Sequence, residues 1–204
     1  NDRRSETMAN PTGARLEGAI GSLNQGNRNR FTNGSTEMAN TNGSPLGLVF
    51  DANGNLLIAD AYKGILSMSP AGDLTVLTNS MDGVPIVYAD DLDVTEDGKI
   101  YFSDASTKFG AEINGGTYAA SLLDIAEHGG HGCLLVYDPA DQSTKLLMDG
   151  LNFANGVATA ADSSFVLVNE TGTYRIQKYW LKGDKAGTAE VLIDNLPGFP
   201  DNIV

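Results

Sequence analysis

Short apolar runs alternate with clusters of turn residues along most of the chain. Four such runs lie between residues 45 and 78, separated by the turn clusters DANGN, DAYKG and SPAGD; they are Gly47–Phe50, Leu56–Ala59, Gly64–Ser67 and Leu74–Leu77. Runs this short, bounded by Gly, Asn, Asp and Pro, are typical of strands in an antiparallel meander. The pattern returns in ADDLDVTEDGKIYFSDAS, in GCLLVYDPADQSTKLLM and in NGVATAADSSFVLVNE. The sequence therefore predicts an all-β fold.

The meander recurs with a period of 40 to 50 residues. Gly47 and Asp91 are 44 positions apart, and Gly156 and Asn202 are 46 apart. Asp91 and Gly156 are 65 apart because of an insertion at 108–131, which includes a predicted short helix over 118–127. Four short strands in each repeat predict a β-propeller, with a β-sandwich as the alternative. At this period the chain holds roughly four blades or fewer, so we expect part of a longer protein.

The first 44 residues have a different composition from the rest of the chain. They are rich in Asn, Gly, Ser and Thr and show no sustained hydrophobic period. We expect mostly irregular structure there, with a short strand around Ala14–Leu23. The predicted organisation is an irregular segment over 1–44, followed by a partial propeller over 45–204 that carries the insertion at 108–131.

Charge and composition narrow the classes of partner. The formal net charge of −13 disfavours nucleic acid, whose phosphates require clustered Lys and Arg. The chain has no apolar run long enough to cross a membrane, and its first residues lack the apolar core of a signal peptide. The single cysteine, Cys133, excludes an internal disulfide and is predicted to be a buried strand residue. These properties disfavour nucleic acid and a membrane span within these residues, and they leave the cellular compartment open.

Each repeat begins with a polar or glycine-containing pair at the start of its first strand: PLG at 45–47, ADD at 89–91, ANG at 154–156 and PDN at 200–202. The first strand of a propeller blade lines the central channel, so equivalent residues converge on one axis. Alignment of the last three repeats places Asp90, Asn155 and Asp201 at one level, followed by Asp91, Gly156 and Asn202. Carboxylate and amide oxygens are the ligands that Ca²⁺ prefers. The same residue types also form ordinary turns, which is the alternative interpretation.

Several long motifs resemble the strictosidine synthase-like family. They are IADAYKG, YFSDAS, RIQKYWLKG and LPGFPDNI, and the resemblance extends over 45–204. This family includes adipocyte plasma membrane-associated protein and is related to the gluconolactonase (senescence marker protein) and paraoxonase groups. The resemblance implies a six-bladed propeller with a divalent metal, usually calcium, deep in the central channel.

The resemblance also implies individual metal ligands. Asn155 in FANG and Asp201 in FPDN fall where the gluconolactonase and paraoxonase groups place ligands, and Asn202 matches a further ligand of the paraoxonase pattern. Asp90 stands where those groups commonly have Asn, so it offers a carboxylate and loses the ability to donate to a substrate.

Two features of the family pattern have no counterpart in this sequence. The first-blade Glu ligand and its GPE-like motif are missing from residues 1–44, where Glu17 is only a faint candidate. The last-blade Glu that strictosidine synthases use for catalysis would lie beyond Val204.

These observations lead to three hypotheses of function. The first is a metal-dependent hydrolase of lactones or esters, in which Asp90 or Asp91 positions water and His128, in the HGGHG loop, acts as general base. The second is a Pictet–Spengler condensation of an amine with an aldehyde, as in strictosidine synthase. The third is a non-catalytic propeller that serves as a binding platform. Glu170 is a further candidate acid, although we expect it to cap a turn or to pair with Arg175 or Lys178.

Overall fold

The computed structural model describes residues 38–204, and Thr41–Val204 form one compact unit. This region contains three four-stranded antiparallel sheets, which confirms the predicted all-β propeller architecture. The predicted strand at 14–23 and the candidate Glu17 lie outside the described residues, and the predicted division at residue 44 stays a prediction. Apart from one α-helix and a single 3₁₀ turn at Thr171–Thr173, the regular structure of the described region is β.

Each sheet is a meander of four consecutive strands, as expected for a propeller blade. Blade 1 consists of β1 (Pro45–Phe50), β2 (Leu56–Asp60), β3 (Gly64–Met68) and β4 (Leu74–Thr78). A small hairpin follows, formed by β5 (Ser80–Met81) and β6 (Val84–Pro85). Blade 2 consists of β7 (Ala89–Val94), β8 (Ile100–Asp104), β9 (Gly132–Asp138) and β10 (Ser143–Leu151). Blade 3 consists of β11 (Ala154–Thr159), β12 (Phe165–Glu170), β13 (Arg175–Trp180) and β14 (Ala189–Ile193).

The first strand of each blade is its innermost strand. β7 contacts β1 on one side and β11 on the other, so the three inner strands stand side by side. The outer strands β4 and β14 carry mostly exposed side chains. This arrangement is the one predicted from the repeat, and it brings the polar pairs of successive repeats next to one another.

Alternating side chains of blade 2 build the two hydrophobic cores between blades. Every residue of β8 is buried, because this strand has a neighbouring blade on each face. Phe102 and Leu135 pack toward blade 1, whereas Tyr101 and Leu134 pack toward blade 3. Burial of each large apolar side chain contributes about 1.5–3 kcal/mol, so both interfaces are strongly held.

Cys133 lies in β9 and is buried, as predicted. Burial raises the pKa of its thiol to about 12. The side chain is therefore a packing residue, because a protonated thiol is a poor nucleophile.

The predicted helix is confirmed as α1, Thr117–Glu127, in the insertion between β8 and β9. It packs on the ends of the inner strands: Ala120 and Ile125 lie in an apolar cluster with Tyr88 and Phe153, which immediately precede β7 and β11. Two polar contacts fasten it, from Ser106 Oγ to Asp124 Oδ2 at 2.5 Å and from Tyr88 Oη to the Thr117 carbonyl at 2.7 Å. The insertion thus covers the end of the blades at which the inner strands begin. Among the residues described, no helix is long and apolar enough to cross a membrane.

Candidate functional site

All three inner strands have an irregularity at the same place. The register with the second strand breaks between Pro45 and Leu48, between Ala89 and Leu92, and between Ala154 and Val157. A β-bulge bends its strand and redirects the side chains within it, and bulges are frequent beside active sites. The residues inside the three breaks are the predicted pairs: Leu46 with Gly47, Asp90 with Asp91, and Asn155 with Gly156.

Two glycines in these bulges allow neighbouring inner strands to approach closely. A Cβ at Gly47 would overlap Asp91 Oδ1, and a Cβ at Gly156 would overlap the carbonyl oxygen of Asp201. The Gly156 N–H donates to that carbonyl at 3.0 Å, so the segment at 201–203 lies beside β11 as β11 lies beside β7. The structure therefore places Asp90 on β7, Asn155 on β11 and the segment that carries Asp201 beside β11, in the order that the repeat predicts.

Asp90 is half-buried in an acidic environment. Its pKa is raised well above the usual range, first by burial and then by the negative charges of Asp91, Asp201 and Asp104. The negative charge of a second predicted ligand, Asp201, is thus among the charges that act on the Asp90 carboxyl. A bound cation would relieve this repulsion, since an opposite charge stabilises the ionised form of a carboxyl group.

Asp91 has a structural contact that the sequence did not reveal. Its Oδ2 accepts the main-chain N–H of Val157 at 3.0 Å, which joins β7 to β11 across the blade boundary. Burial raises the pKa of Asp91, and the Val157 hydrogen bond acts in the opposite direction. Asp93 makes the same kind of connection further along, where its Oδ2 accepts from Thr159 N and Oγ1 at 2.7 Å. A catalytic role for Asp91 stays a prediction.

Asn155 presents an oxygen whose hydrogen-bonding capacity is unused. Its side chain is only 6% exposed, and its Oδ1 has no hydrogen-bond partner among residues 38–204. Buried amide oxygens are nearly always hydrogen-bonded or bound to an ion, because an unmet buried acceptor costs about 1–3 kcal/mol. Such an oxygen, on the strand next to the one that carries Asp90, is of the kind that a hard cation binds.

Asp201 and Asn202 complete the predicted ligand set. Both are exposed, and the main chain of Asp201 is held against β11. All four predicted ligands offer oxygen atoms, which is the donor set expected for Ca²⁺. Within residues 38–204, no three His, Cys, Asp or Glu side chains are grouped closely enough to hold a metal. A site on this chain would therefore depend on its two Asn oxygens, and the ligand assignment stays a prediction.

His128 ends helix α1 in a left-handed conformation, with φ of 59°, and its imidazole is exposed. His131, three residues later, bonds Glu127 Oε1 through Nε2 at 2.9 Å and meets the ring of Phe109 edge-on. The insertion carries both residues to the end of the blades where the inner strands begin. The role of His128 as general base stays a prediction.

The second strands end in buried acids that sequence reasoning did not connect. Asp60, Asp104 and Glu170 each accept a main-chain N–H from just before the inner strand of the same blade, at 2.9 Å in every case. The donors are Ser44, Tyr88 and Asn152. A signal was present in the sequence, because LLIAD, IYFSD and FVLVNE all close on an acidic residue. These acids fix the entry of each inner strand into its blade.

Glu170 has the most complete set of partners among these acids. Besides Asn152 N it accepts from Arg175 Nε at 2.5 Å and from Gln177 Nε2 at 2.7 Å. The expected pairing with Arg175 is confirmed, whereas Lys178 lies over the rings of Phe165 and Trp180. Glu170 is therefore a structural acid in an ion pair.

Comparison with known sequences supports the resemblance drawn from the motifs. The strictosidine synthase family model matches residues 90–184. Strictosidine synthase-like protein 13 of Arabidopsis thaliana is 43% identical over 163 residues, which cover 79% of this chain and 38% of that protein. Human adipocyte plasma membrane-associated protein is 39% identical over 166 residues, with the same two coverages. The chain thus spans about two fifths of the length of these relatives.

Comparison with solved structures supports the fold. A gluconolactonase of Xanthomonas campestris superposes with a TM-score of 0.64 at 20% identity, over 81% of this chain and 54% of that one. Regucalcin, a calcium-binding protein of Agrobacterium tumefaciens, superposes with a TM-score of 0.55 at 17% identity, over 78% and 49%. At these identities the likeness establishes the architecture of the blades.

Proposed function

Because the chain is strictosidine synthase-like in sequence and consists of propeller blades, we propose that it contributes to a metal-dependent hydrolase of lactones or esters. Asp90, Asn155, Asp201 and Asn202 would hold a divalent cation, with Ca²⁺ preferred. The observation that carries the proposal is the buried Oδ1 of Asn155, which lacks a protein partner in the described region. Asn155 lies between Asp90 and Asp201 in the order of the repeats, and the negative charge of Asp201 acts on the Asp90 carboxyl.

Asp90, Asn155, Asp201 and Asn202 would hold the cation, which would supply Lewis acidity toward a lactone or ester carbonyl during hydrolysis. The chain's own residues prepare this site. The bulges direct the side chains of Asp90 and Asn155, and the Asp91–Val157 hydrogen bond sets the spacing between β7 and β11. Ionised Asp90 can only accept hydrogen bonds, so it would orient a water molecule by accepting a hydrogen bond from one of the water's O–H groups.

The insertion supplies the candidate proton acceptor. His128 is the exposed residue that ends α1, on the side of the blades where the inner strands begin. Histidine is the side chain most often used as a general base, which makes it the residue to pair with a water positioned by Asp90 or Asp91. The gluconolactonase and calcium-binding neighbours support a lactone as the first substrate class to test.

The strictosidine synthase family match over 90–184 favours one alternative, the condensation of an amine with an aldehyde. That reaction needs an acid–base residue and no cation. A non-catalytic binding platform would turn over neither class of substrate. The three functions therefore differ in both their metal requirement and their products.

Calorimetry with CaCl₂ tests the cation site on the whole chain. We expect saturable binding to the wild type and at least about tenfold weaker binding to Asp201→Ala, because a charged ligand is lost. Asp184→Ala, which removes an exposed acid from the loop between β13 and β14, is the matched control and should bind as the wild type does. A wild-type chain that shows no affinity for Ca²⁺ would overturn the proposal.

Substrate panels then separate the reaction classes. Lactones and aryl esters are incubated with the protein in Ca²⁺ or in EDTA, and an amine with an aldehyde under the same conditions. Hydrolysis that disappears in EDTA supports the proposal. Condensation that persists in EDTA would favour the strictosidine synthase reaction instead.

A further inference from the structure

Ser103 and Asn169 occupy matching positions in blades 2 and 3. Each is the residue just before the acid that ends the second strand, Asp104 in β8 and Glu170 in β12. Both side chains are almost completely buried, with exposures of 0% for Ser103 and 2% for Asn169. Buried polar side chains are nearly always hydrogen-bonded, so the partners of these two residues show what they hold in place.

Both residues donate to the main chain of a predicted ligand in the next repeat, Asn155 on β11 and Asp201 in the segment beside β11. Ser103 Oγ donates to the Asn155 carbonyl at 2.7 Å, and Asn169 Nδ2 donates to the Asp201 carbonyl at 2.5 Å. Ser103 Oγ also accepts the N–H of Asp91 at 3.1 Å, so one hydroxyl connects the bulges of β7 and β11. The same device therefore recurs at two consecutive blade boundaries.

Bulged residues need such a contact. A bulge leaves part of its backbone outside the regular ladder, so the ladder alone does not hold the direction of a side chain there. The Asn155 carbonyl belongs to the bulge of β11, and the side chain of the same residue has a buried oxygen, Oδ1, with no hydrogen-bond partner among residues 38–204. Ser103, which lies on β8 of blade 2, donates a hydrogen bond to this bulge of blade 3 from outside that blade.

Blade 1 lacks the device, since the residue before Asp60 is Ala59. Of the three predicted ligands Asp90, Asn155 and Asp201, Asp90 is accordingly the one whose main-chain carbonyl accepts no hydrogen bond from a side chain at this position of the preceding blade. The contacts thus accompany Asn155 and Asp201 specifically and are not a general requirement of the blade.

We propose that Ser103 and Asn169 are positioning residues of the cation site: each holds the backbone of a ligand in the following repeat, so that the ligand oxygens are set before the ion binds. This inference rests on the proposed function. Groups that orient metal ligands typically change metal affinity 10- to 100-fold when they are removed.

Calcium calorimetry on Ser103→Ala and Asn169→Ala tests the inference. We expect about tenfold weaker binding for each variant. Ser106→Ala is the matched control, because Ser106 is equally buried but bonds Asp124 of helix α1. It should lose stability to urea as Ser103→Ala does, while it binds Ca²⁺ as the wild type does.

Terbium luminescence supplies a readout that a merely structural role would not change. Lifetimes of bound Tb³⁺ in H₂O and D₂O report the number of coordinated waters. We expect this number to rise in Ser103→Ala and in Asn169→Ala, since a displaced ligand is replaced by water, and to stay at the wild-type value in Ser106→Ala.

The two failures are distinguishable. If the wild type binds neither ion, the cation site itself is overturned. If the wild type binds Ca²⁺, Asp201→Ala binds it weakly, and both positioning variants match the wild type in affinity and in coordinated waters, then only the positioning role is overturned.

Discussion

Two sets of acidic residues lie one strand apart in this molecule and differ in their surroundings. The acids that end the second strands, Asp60, Asp104 and Glu170, each accept a main-chain N–H that anchors an inner strand. On the inner strands, Asp90 instead experiences the negative charges of three other acids, and Asn155 on the adjacent strand β11 has an oxygen with no partner in the described region.

The difference shows that a buried acid is not in itself a sign of function. An acid whose oxygens are satisfied by the chain stabilises the fold, as Glu170 does with Arg175, Gln177 and Asn152. An acid held beside like charges lowers stability and is retained where a cation or substrate compensates. Replacement of Glu170 and replacement of Asp90 should therefore change stability in opposite directions.

The largest effect is expected at the second strands. Glu170→Ala removes a buried acid and leaves Arg175, Gln177 and the Asn152 N–H without their acceptor. We expect the free energy of unfolding in urea to fall by about 3–5 kcal/mol, as when one partner of a buried ion pair is removed.

Glu190→Ala is the control for this loss. Glu190 pairs with Lys185 on the surface, where an ion pair contributes little. Equal losses for the two variants would show that the surroundings of Glu170 do not distinguish it from a surface acid.

The next effect is a dependence of stability on pH from Asp104. Burial raises its pKa to about 7 in the folded protein, against 3.8 for the ordinary carboxyl. Between these values the folded state keeps a proton that the unfolded state releases, so stability falls as pH rises from about 4 to 7. The total change is at most about 4 kcal/mol.

Asp104→Asn tests this dependence, because its Oδ1 still accepts the Tyr88 N–H while the titrating group is gone. Urea unfolding is measured in EDTA from pH 4 to 8. As pH rises, the free energy of unfolding of the variant should increase relative to that of the wild type. Parallel stability curves for the two proteins would contradict the assignment to Asp104.

The smallest effect, and the one of opposite sign, is expected at the inner strands. Asp90→Asn removes the charge that Asp91, Asp201 and Asp104 repel. Without metal, we expect the free energy of unfolding to rise by about 1 kcal/mol, in the range of other relieved charge repulsions. Calcium affinity should fall about tenfold, since Asn keeps an oxygen ligand but not the charge. A loss of metal-free stability would show that Asp90 is a structural acid like Glu170.

Much of the architecture was predictable from the sequence because it is written in local patterns. Turn clusters and short apolar runs located the strands, and the repeat of 44 and 46 residues placed Asp90, Asn155 and Asp201 in phase. The helix at 117–127 and the burial of Cys133 followed from the same reasoning. The hydrogen bonds of Ser103, Asn169 and Asp91 were not predictable, because their partners lie in other blades, and sequence spacing does not specify which main-chain atoms meet.

By itself, the sequence determined the β-propeller repeat, the acidic character and the identity of the oxygen-bearing residues at the start of each inner strand, since each depends on residue type and spacing along one chain. Only the tertiary structure decided which oxygens, on the inner strands and at the ends of the second strands, already have hydrogen-bond partners. It gave the carboxylates of Asp104 and Glu170 to the backbone, gave Asp91 to the neighbouring blade, and left Asn155 Oδ1 without a partner among residues 38–204. The physical reason is that hydrogen bonding depends on distances between strands of different blades, and packing alone sets those distances.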